Sequence, residues 1–154
     1  MWQRIQTIFL ALVILSMIVG IFFPIWTGGT DGEIHKLFPL HYSVYRDGVA
    51  APKYFPYSIT AILMMAAATI AFIELRRYDD RILQIKLGTL NSVVLMLTMI
   101  SAVLLANQMI NANPTNWAYG YGLYIPFAGV TFNWLAVRMI RRDEKKVRDS
   151  DRIR

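Results

Sequence analysis

Residues 57–75 read YSITAILMMAAATIAFIEL, a run with no charged side chain before Glu74. An α-helix rises 1.5 Å per residue, so about 20 apolar residues cross the roughly 30 Å of hydrocarbon in a bilayer. Residues 5–26, 87–106 and 121–140 match this run in length and character. Because lipid accepts only helices and closed barrels as spanning structures, we predict an all-α membrane protein, a four-transmembrane-helix bundle in a single domain over residues 1–154.

Composition agrees with a membrane protein, since 56% of the residues are hydrophobic and the mean hydropathy is +0.41. The chain has no cysteine, which excludes disulfides, thiolate metal sites and a nucleophilic thiol. The first run is too long for a typical signal peptide and ends without a small-residue cleavage pattern. We therefore interpret it as a retained anchor.

The positions of the 16 Lys and Arg residues predict the orientation. They concentrate before the first run, between the second and third, and after the fourth, whereas residues 107–120 have none. Basic segments resist translocation, so we predict that both termini, the link between helices 2 and 3 and the tail 141–154 are cytoplasmic. The loop 27–56 is then on the outer side. This topology accounts for the net charge of +6, and we expect no nucleic-acid partner.

The outer loop opens with the glycine-rich residues 27–32, which we interpret as flexible. Its second half has the β-prone residues 40–45 followed by an Asp47-Gly48 turn, a pattern that predicts a small β-hairpin. Trp26 is one of several aromatic residues that we assign to the headgroup level at the outer ends of the helices. The outer loop also contains Asp31, Glu33, His35 and His41. The two histidines match no recurrent zinc spacing, so we predict no metal site.

Thr69, Asn91 and Asn133 form the candidate interhelical polar layer. Counted at 1.5 Å per residue from the inner helix ends, their depths agree within about 5 Å. They are interpreted as hydrogen-bonded packing between helices, or alternatively as the wall of a small polar cavity. Glu74, close to the end of its run, is expected to reach the headgroups or to pair with Arg77 or Arg81.

The inner link and the tail provide a second candidate site on the cytoplasmic side. The tail mixes acids with bases, and Glu144 and Arg148 have the i, i+4 spacing of a helical ion pair, so helix 4 is expected to continue beyond the membrane. The charges fix topology, bind a partner, or clamp the tail to the link through several arginine–carboxylate pairs. The residues of this candidate interaction surface are Arg77, Asp79, Asp80, Arg81, Arg141, Arg142, Asp143, Glu144, Arg148, Asp151 and Arg152.

No catalytic motif, phosphate-binding loop or paired buried carboxylates can be found in the sequence. We therefore predict no enzyme activity and no cofactor. The leading hypothesis is a structural or accessory subunit that binds a membrane or cytoplasmic protein partner through its cytoplasmic basic face, with membrane lipids around it. The alternative is a small-ligand or lipid-binding protein with a polar pocket near Thr69, Asn91 and Asn133.

Three segments carry a resemblance to a known family: the opening MWQRIQTIFL at 1–10, the link YDDRILQIK at 78–86 and the ending RDEKKVRDSDRIR at 142–154. They resemble the four-helix membrane proteins of Bacteroidota known as domain of unknown function four-two-nine-three. The resemblance covers the whole chain and implies a bacterial inner membrane, with loop 27–56 in the periplasm. It implies no activity, cofactor or catalytic residue.

Overall fold

The computed structural model describes residues 5–30, 32–46, 49–77, 79–112 and 116–151. Within these residues the chain forms four α-helices and five β-strands. The helices are α1 (Ile5–Gly20), α2 (Ile59–Arg76), α3 (Arg81–Ala112) and α4 (Tyr121–Asp151), and the strands are β1 (Trp26–Thr30), β2 (Glu33–Leu37), β3 (Tyr42–Arg46), β4 (Val49–Lys53) and β5 (Trp117–Tyr119). By length and composition, α2, α3 and α4 can each cross a membrane, while α1 is apolar but shorter, with 16 residues.

Helix α1 ends at Gly20, so the predicted helical run to Trp26 is wrong for its last six residues. Pro24 has no N–H to donate to the carbonyl of Gly20, and it disfavours the helical conformation of the residue before it. The Ile25 N–H instead donates to the Leu37 carbonyl over 2.7 Å. The chain therefore leaves the helix and enters the sheet.

The other helices also differ from the predicted spans at their ends. Helix α2 begins at Ile59 rather than at residue 57, and α3 extends beyond residues 87–106 on both sides. Helix α4 passes residue 140 and continues to Asp151. The predicted continuation of helix 4 is thus confirmed.

The segments between helices build a five-stranded antiparallel sheet with the order β4-β3-β2-β1-β5. The predicted hairpin is present as the pair β3 and β4, although its Asp47-Gly48 turn lies outside the described residues. The interpretation of residues 27–32 as flexible is wrong for β1, which pairs with β2 on one side and β5 on the other. At Gly28 a Cβ atom would clash with the ring of Trp26, so the close approach of ring and strand explains that glycine.

The helices pack in a closed ring, since α1 contacts α2 and α4, and α3 contacts the same two helices. One apolar cluster lies among the helices and includes Met17, Met64 and Leu95. A second cluster joins the sheet to α3 and includes Trp26 and Leu37. The sheet therefore closes one end of the bundle, the sheet end. The opposite end, with the link between α2 and α3, is the link end.

Trp26 is fully buried in the second cluster, so its predicted place among headgroups is wrong. In contrast to Trp26, many large apolar side chains on the outside of the helices are exposed over half or more of their surface. They include Ile62, Met65, Leu90, Val93, Met96 and Leu104. In water such a surface would associate, whereas in lipid it is the ordinary outside of a helix bundle.

Candidate functional site

Polar side chains of α3 and α4 meet inside the bundle toward the link end. The Asn91 amide nitrogen donates to the Asn133 Oδ1 over 3.2 Å. The Asn133 nitrogen donates to the Gly88 carbonyl over 2.9 Å and to the Ser92 hydroxyl oxygen over 2.8 Å. Both asparagines are fully buried. The structure thus brings together two of the three residues of the candidate polar layer.

Thr69 does not join this layer. Its side chain is exposed, and its hydroxyl donates to the Met65 carbonyl of its own helix over 2.8 Å. The buried face of α2 contains Ala67, Ala71 and Glu74, which repeat every three to four residues. Thr69 has a suitable depth but lies on the outer face of α2, so its assignment to the layer is corrected.

Glu74 is the second correction at the link end. It was expected at the headgroups or paired with Arg77 or Arg81, yet it is 0% exposed. Neither carboxylate oxygen has a hydrogen-bond partner in the described part of the chain. Glu74 continues the buried face of α2, so helical periodicity turns the side chain inward despite its closeness to the helix end.

The carboxylate of Glu74 lies against α3. A Cβ atom on Gly88 would lie 2.9 Å from the Glu74 Oε1, so the glycine leaves space for the carboxylate. The Gln84 Nε2 donates to the backbone carbonyl of Glu74 over 2.9 Å. Gly88 also accepts the bond from Asn133, which connects the acid of α2 to the asparagines of α3 and α4.

Two buried glutamines belong to the same end of the bundle and were missed from the sequence. Gln84, on α3, is 2% exposed, and Gln6, near the start of α1, is 3% exposed. The side-chain oxygens of both lack a hydrogen-bond partner among the described residues. The spacing of Gln84, Gly88 and Asn91 on one helical face was the available signal.

The link uses one of its acids to cap a helix. The Asp80 Oδ1 accepts the Leu83 N–H over 2.9 Å, and the Asp80 carbonyl accepts the Gln84 N–H over 3.0 Å. These are the bonds of an N-cap residue at the start of α3. Asp79, next to it, is exposed.

The predicted clamp between link and tail is not formed in the described part of the chain. Asp79 and Asp80 make no ion pair with Arg141, Arg142 or Lys145, and neither Asp143 nor Glu144 pairs with Arg77 or Arg81. The side chain of Asp151 and the whole of Arg152 lie outside the described residues. Within the tail, Arg141, Arg142, Lys145, Arg148 and the acid Asp149 are exposed, whereas Asp143 and Glu144 are half-buried.

A groove between α3 and α4 opens to the surface beside the buried asparagines. Its lining comprises Thr89, Ser92, Trp134, Val137, Arg138 and Arg141. The Arg138 guanidinium lies 5.2 Å from the centroid of the Trp134 ring, within cation–π distance. Two arginines, two hydroxyls and an indole thus surround one groove.

Two of the candidate metal ligands of the outer loop, Glu33 and His35, have polar partners, whereas the buried His41 Nδ1 has none among the described residues. Glu33 pairs with Arg46, and the His35 Nδ1 lies 2.6 Å from the Tyr42 hydroxyl. His41 stacks on Phe38, and Asp31 lies outside the described residues. Across the described ranges, no three His, Asp or Glu side chains are placed to hold a metal ion.

These features are those of a helical membrane protein with a polar interior at one end and a small sheet at the other. The family model described as Domain of unknown function (DUF4293) matches residues 2–153. The chain belongs to this family. A comparison with curated proteins gives no match.

Proposed function

We propose that the protein is a non-catalytic integral membrane protein of the bacterial inner membrane, an accessory subunit that binds a protein partner through the exposed bases at the end of α4. The observation that carries this proposal is the unbroken continuation of α4 to Asp151. With the link end in the cytoplasm, the 11 residues after Ile140 extend about 16 Å from the membrane. A helix this far from lipid has room for a protein contact.

The distribution of charge on this extension supports an acidic partner. Arg142, Lys145 and Arg148 are exposed, while Asp143 and Glu144 are half-buried. With Asp149 as the one exposed acid among the described side chains of the extension, mostly bases face outward. One exposed ion pair contributes only about 0–1 kcal/mol, so a partner surface with several carboxylates is needed for stable binding.

The test is co-purification in mild detergent after cross-linking in intact membranes. The double variant Arg142→Gln with Arg148→Gln removes two exposed charges from the extension. Its control, Lys36→Gln with Lys53→Gln, removes two charges from the sheet. We expect one protein to be captured in near-stoichiometric amount by the parent and the control and to be lost from the α4 variant. Equal capture by all three chains would contradict the proposal.

The groove between α3 and α4 favours a second candidate function, the binding of an anionic phospholipid. As a candidate lipid-binding site, this groove replaces the polar pocket that was predicted near Thr69, Asn91 and Asn133. Basic pockets between helices on the cytoplasmic side suit phosphate headgroups, and arginine binds phosphate through paired N–H donors. Arg138, Arg141 and Trp134 supply these features in one groove.

Native mass spectrometry of the purified protein tests this second candidate. Replacing Arg138 and Arg141 by Gln should remove co-purified phosphatidylglycerol or cardiolipin, whereas replacing Arg142 and Arg148 should leave it in place. If the two double variants retain the same amount of lipid, the groove is not the binding site.

A further inference from the structure

Five buried oxygen atoms at the link end accept no hydrogen bond from any described residue. They are both carboxylate oxygens of Glu74, the Oε1 atoms of Gln6 and Gln84, and the Oδ1 atom of Asn91. Each of these four residues is at most 3% exposed. A buried polar group without a partner is costly, and a buried carboxylate most of all. Such a set of unpaired oxygen atoms indicates that a positively charged ligand binds among them.

The orientations of two of these amide groups, those of Gln84 and Asn91, are fixed by their hydrogen bonds. The Gln84 nitrogen is used by the Glu74 carbonyl, and the Asn91 nitrogen by the Asn133 oxygen. The Asn133 nitrogen already donates to the Gly88 carbonyl and to Ser92. Turning any of these amides would break an existing bond, so the oxygens of Gln84 and Asn91 are the atoms left over.

No described cationic side chain reaches the carboxylate. Arg76, the last residue of α2, and Arg77, directly after it, are both exposed, and Arg76 lies over the ring of Phe72. Arg81 and Lys86 on α3 and Arg138 and Arg141 on α4 make no ion pair with Glu74. The negative charge of Glu74 is therefore not balanced by the neighbouring helices that the structure describes.

The chemistry of these five oxygen atoms indicates which ligand they bind. One carboxylate and neutral carboxamides carry a single negative charge, which a monovalent cation neutralises, whereas a divalent ion would leave a positive charge among apolar helices. Oxygen donors without nitrogen or sulfur suit hard cations rather than transition metals. We propose that Glu74 binds Na⁺ between α2 and α3, with Gln84 and Asn91 as further oxygen ligands and Gln6 contributing from α1.

The packing around Glu74 brings its carboxylate close to the backbone of α3. Gly88 has no Cβ at the point where α3 faces the carboxylate. Glu74 lies two residues before the end of α2, and Gln6 is the second residue of α1. Gly88 and Asn91 are the eighth and eleventh residues of α3, so the site extends from about one to three helical turns inside the link end. Protons compete with Na⁺ for the same carboxylate.

Thermal unfolding of the purified full chain in mild detergent tests the site. A ligand that binds only the folded state stabilises it in proportion to ln(1 + [L]/Kd). At constant ionic strength and mildly alkaline pH, replacing choline chloride by NaCl should raise the Tm of the parent and saturate. Glu74→Gln should abolish the Na⁺ response, and Asp79→Asn, which removes an exposed carboxylate of the adjoining link, should retain it. No Na⁺-specific shift in the parent, or an equal shift in Glu74→Gln, would overturn the proposal.

A second measurement on the parent chain does not require the variant to fold. Dicyclohexylcarbodiimide modifies carboxyl groups in apolar surroundings, and mass spectrometry of the peptide that contains Glu74 reports the extent. For a site half-filled at about 10 mM Na⁺, adding about 100 mM NaCl leaves roughly one site in eleven free and lowers the labelling rate about tenfold. Equal rates in NaCl and choline chloride would mean that the carboxyl holds only a proton, and the Na⁺ site would be refuted.

Discussion

Asn133 connects α4 to α3 through three hydrogen bonds, with Asn91, the Gly88 carbonyl and Ser92. Asn133→Leu would leave the amide of Asn91 and the carbonyl of Gly88 buried without this partner. We expect a loss of about 1–3 kcal/mol in the free energy of unfolding, measured in mixed micelles. Thr69→Val is the matched control, since Thr69 is exposed and bonds only within its helix. A loss as large for Thr69→Val would contradict the described layer.

The environment of Tyr42 predicts that the protein loses stability in alkaline solution. Burial, with smaller contributions from Tyr57 and Glu33, raises the pKa of its hydroxyl above the ordinary value of about 10. The folded state then keeps this proton to a higher pH than the unfolded state. The stability linked to Tyr42 is fully present below pH about 10 and is lost as the pH rises through the raised pKa.

Tyr42→Phe removes this titration. Between about pH 9 and pH 11 the variant should lose less of its free energy of unfolding than the parent does. Tyr45→Phe on the same strand controls for the loss of a hydroxyl at the sheet. Identical pH dependence of the parent and Tyr42→Phe would exclude the contribution of Tyr42.

At the scale of the elements, the acid Asp80 serves as the N-cap of α3 and does not form the predicted ion pairs with the described part of the tail. Asp80→Ala removes the acceptor of the Leu83 N–H and should lower the free energy of unfolding by about 1 kcal/mol. Asp79→Ala, at an exposed position, should change it by less than about 0.5 kcal/mol. Thermal unfolding at low and high salt distinguishes an N-cap at Asp80 from an ion-pair clamp to the tail. If the clamp existed, both substitutions would destabilise the protein, and the loss would be smaller at high salt. Equal, salt-dependent losses would favour the clamp.

The elements also show which features could be predicted from the sequence. Length and hydropathy predict where helical segments lie, because lipid requires long apolar helices. They do not predict which side of a helix faces inward. Thr69 and Glu74 lie on the same apolar run, and only the packing of α2 against its neighbours places Thr69 outside and Glu74 inside.

The sequence predicted the β3 and β4 hairpin but not the other strands of the sheet. The reason differs from the one that applies to the helix faces. The β3 and β4 hairpin has a local signal in its turn residues and its β-prone side chains. Strand β1 contains Gly28 and Gly29, which suggest flexibility, and it is held by pairing with β2 and with the distant β5. The pairing of β1 with β5, which lies far away in the sequence, leaves no local pattern, whereas β2 follows β1 directly.

At the scale of the whole molecule, the accessory-subunit and phospholipid proposals depend on the link end lying in the cytoplasm, whereas Na⁺ binding at Glu74 does not. This orientation is supported by the distribution of Lys and Arg, which cluster beside the link and beyond α4. The sheet then lies on the periplasmic side. In this orientation the proposed partner of the α4 extension is cytoplasmic, and the proposed Na⁺ site lies toward the cytoplasmic end of the bundle.

Accessibility of single cysteines tests this orientation most directly, since the chain has no cysteine of its own. Ala51, on β4, and Lys145, on the extension of α4, are both exposed and accept a small substitution. In intact spheroplasts Ala51→Cys should react with a membrane-impermeant maleimide, while Lys145→Cys should react only after the membrane is permeabilised. Labelling of Lys145→Cys in intact spheroplasts, with Ala51→Cys protected, would reverse the orientation and contradict the account.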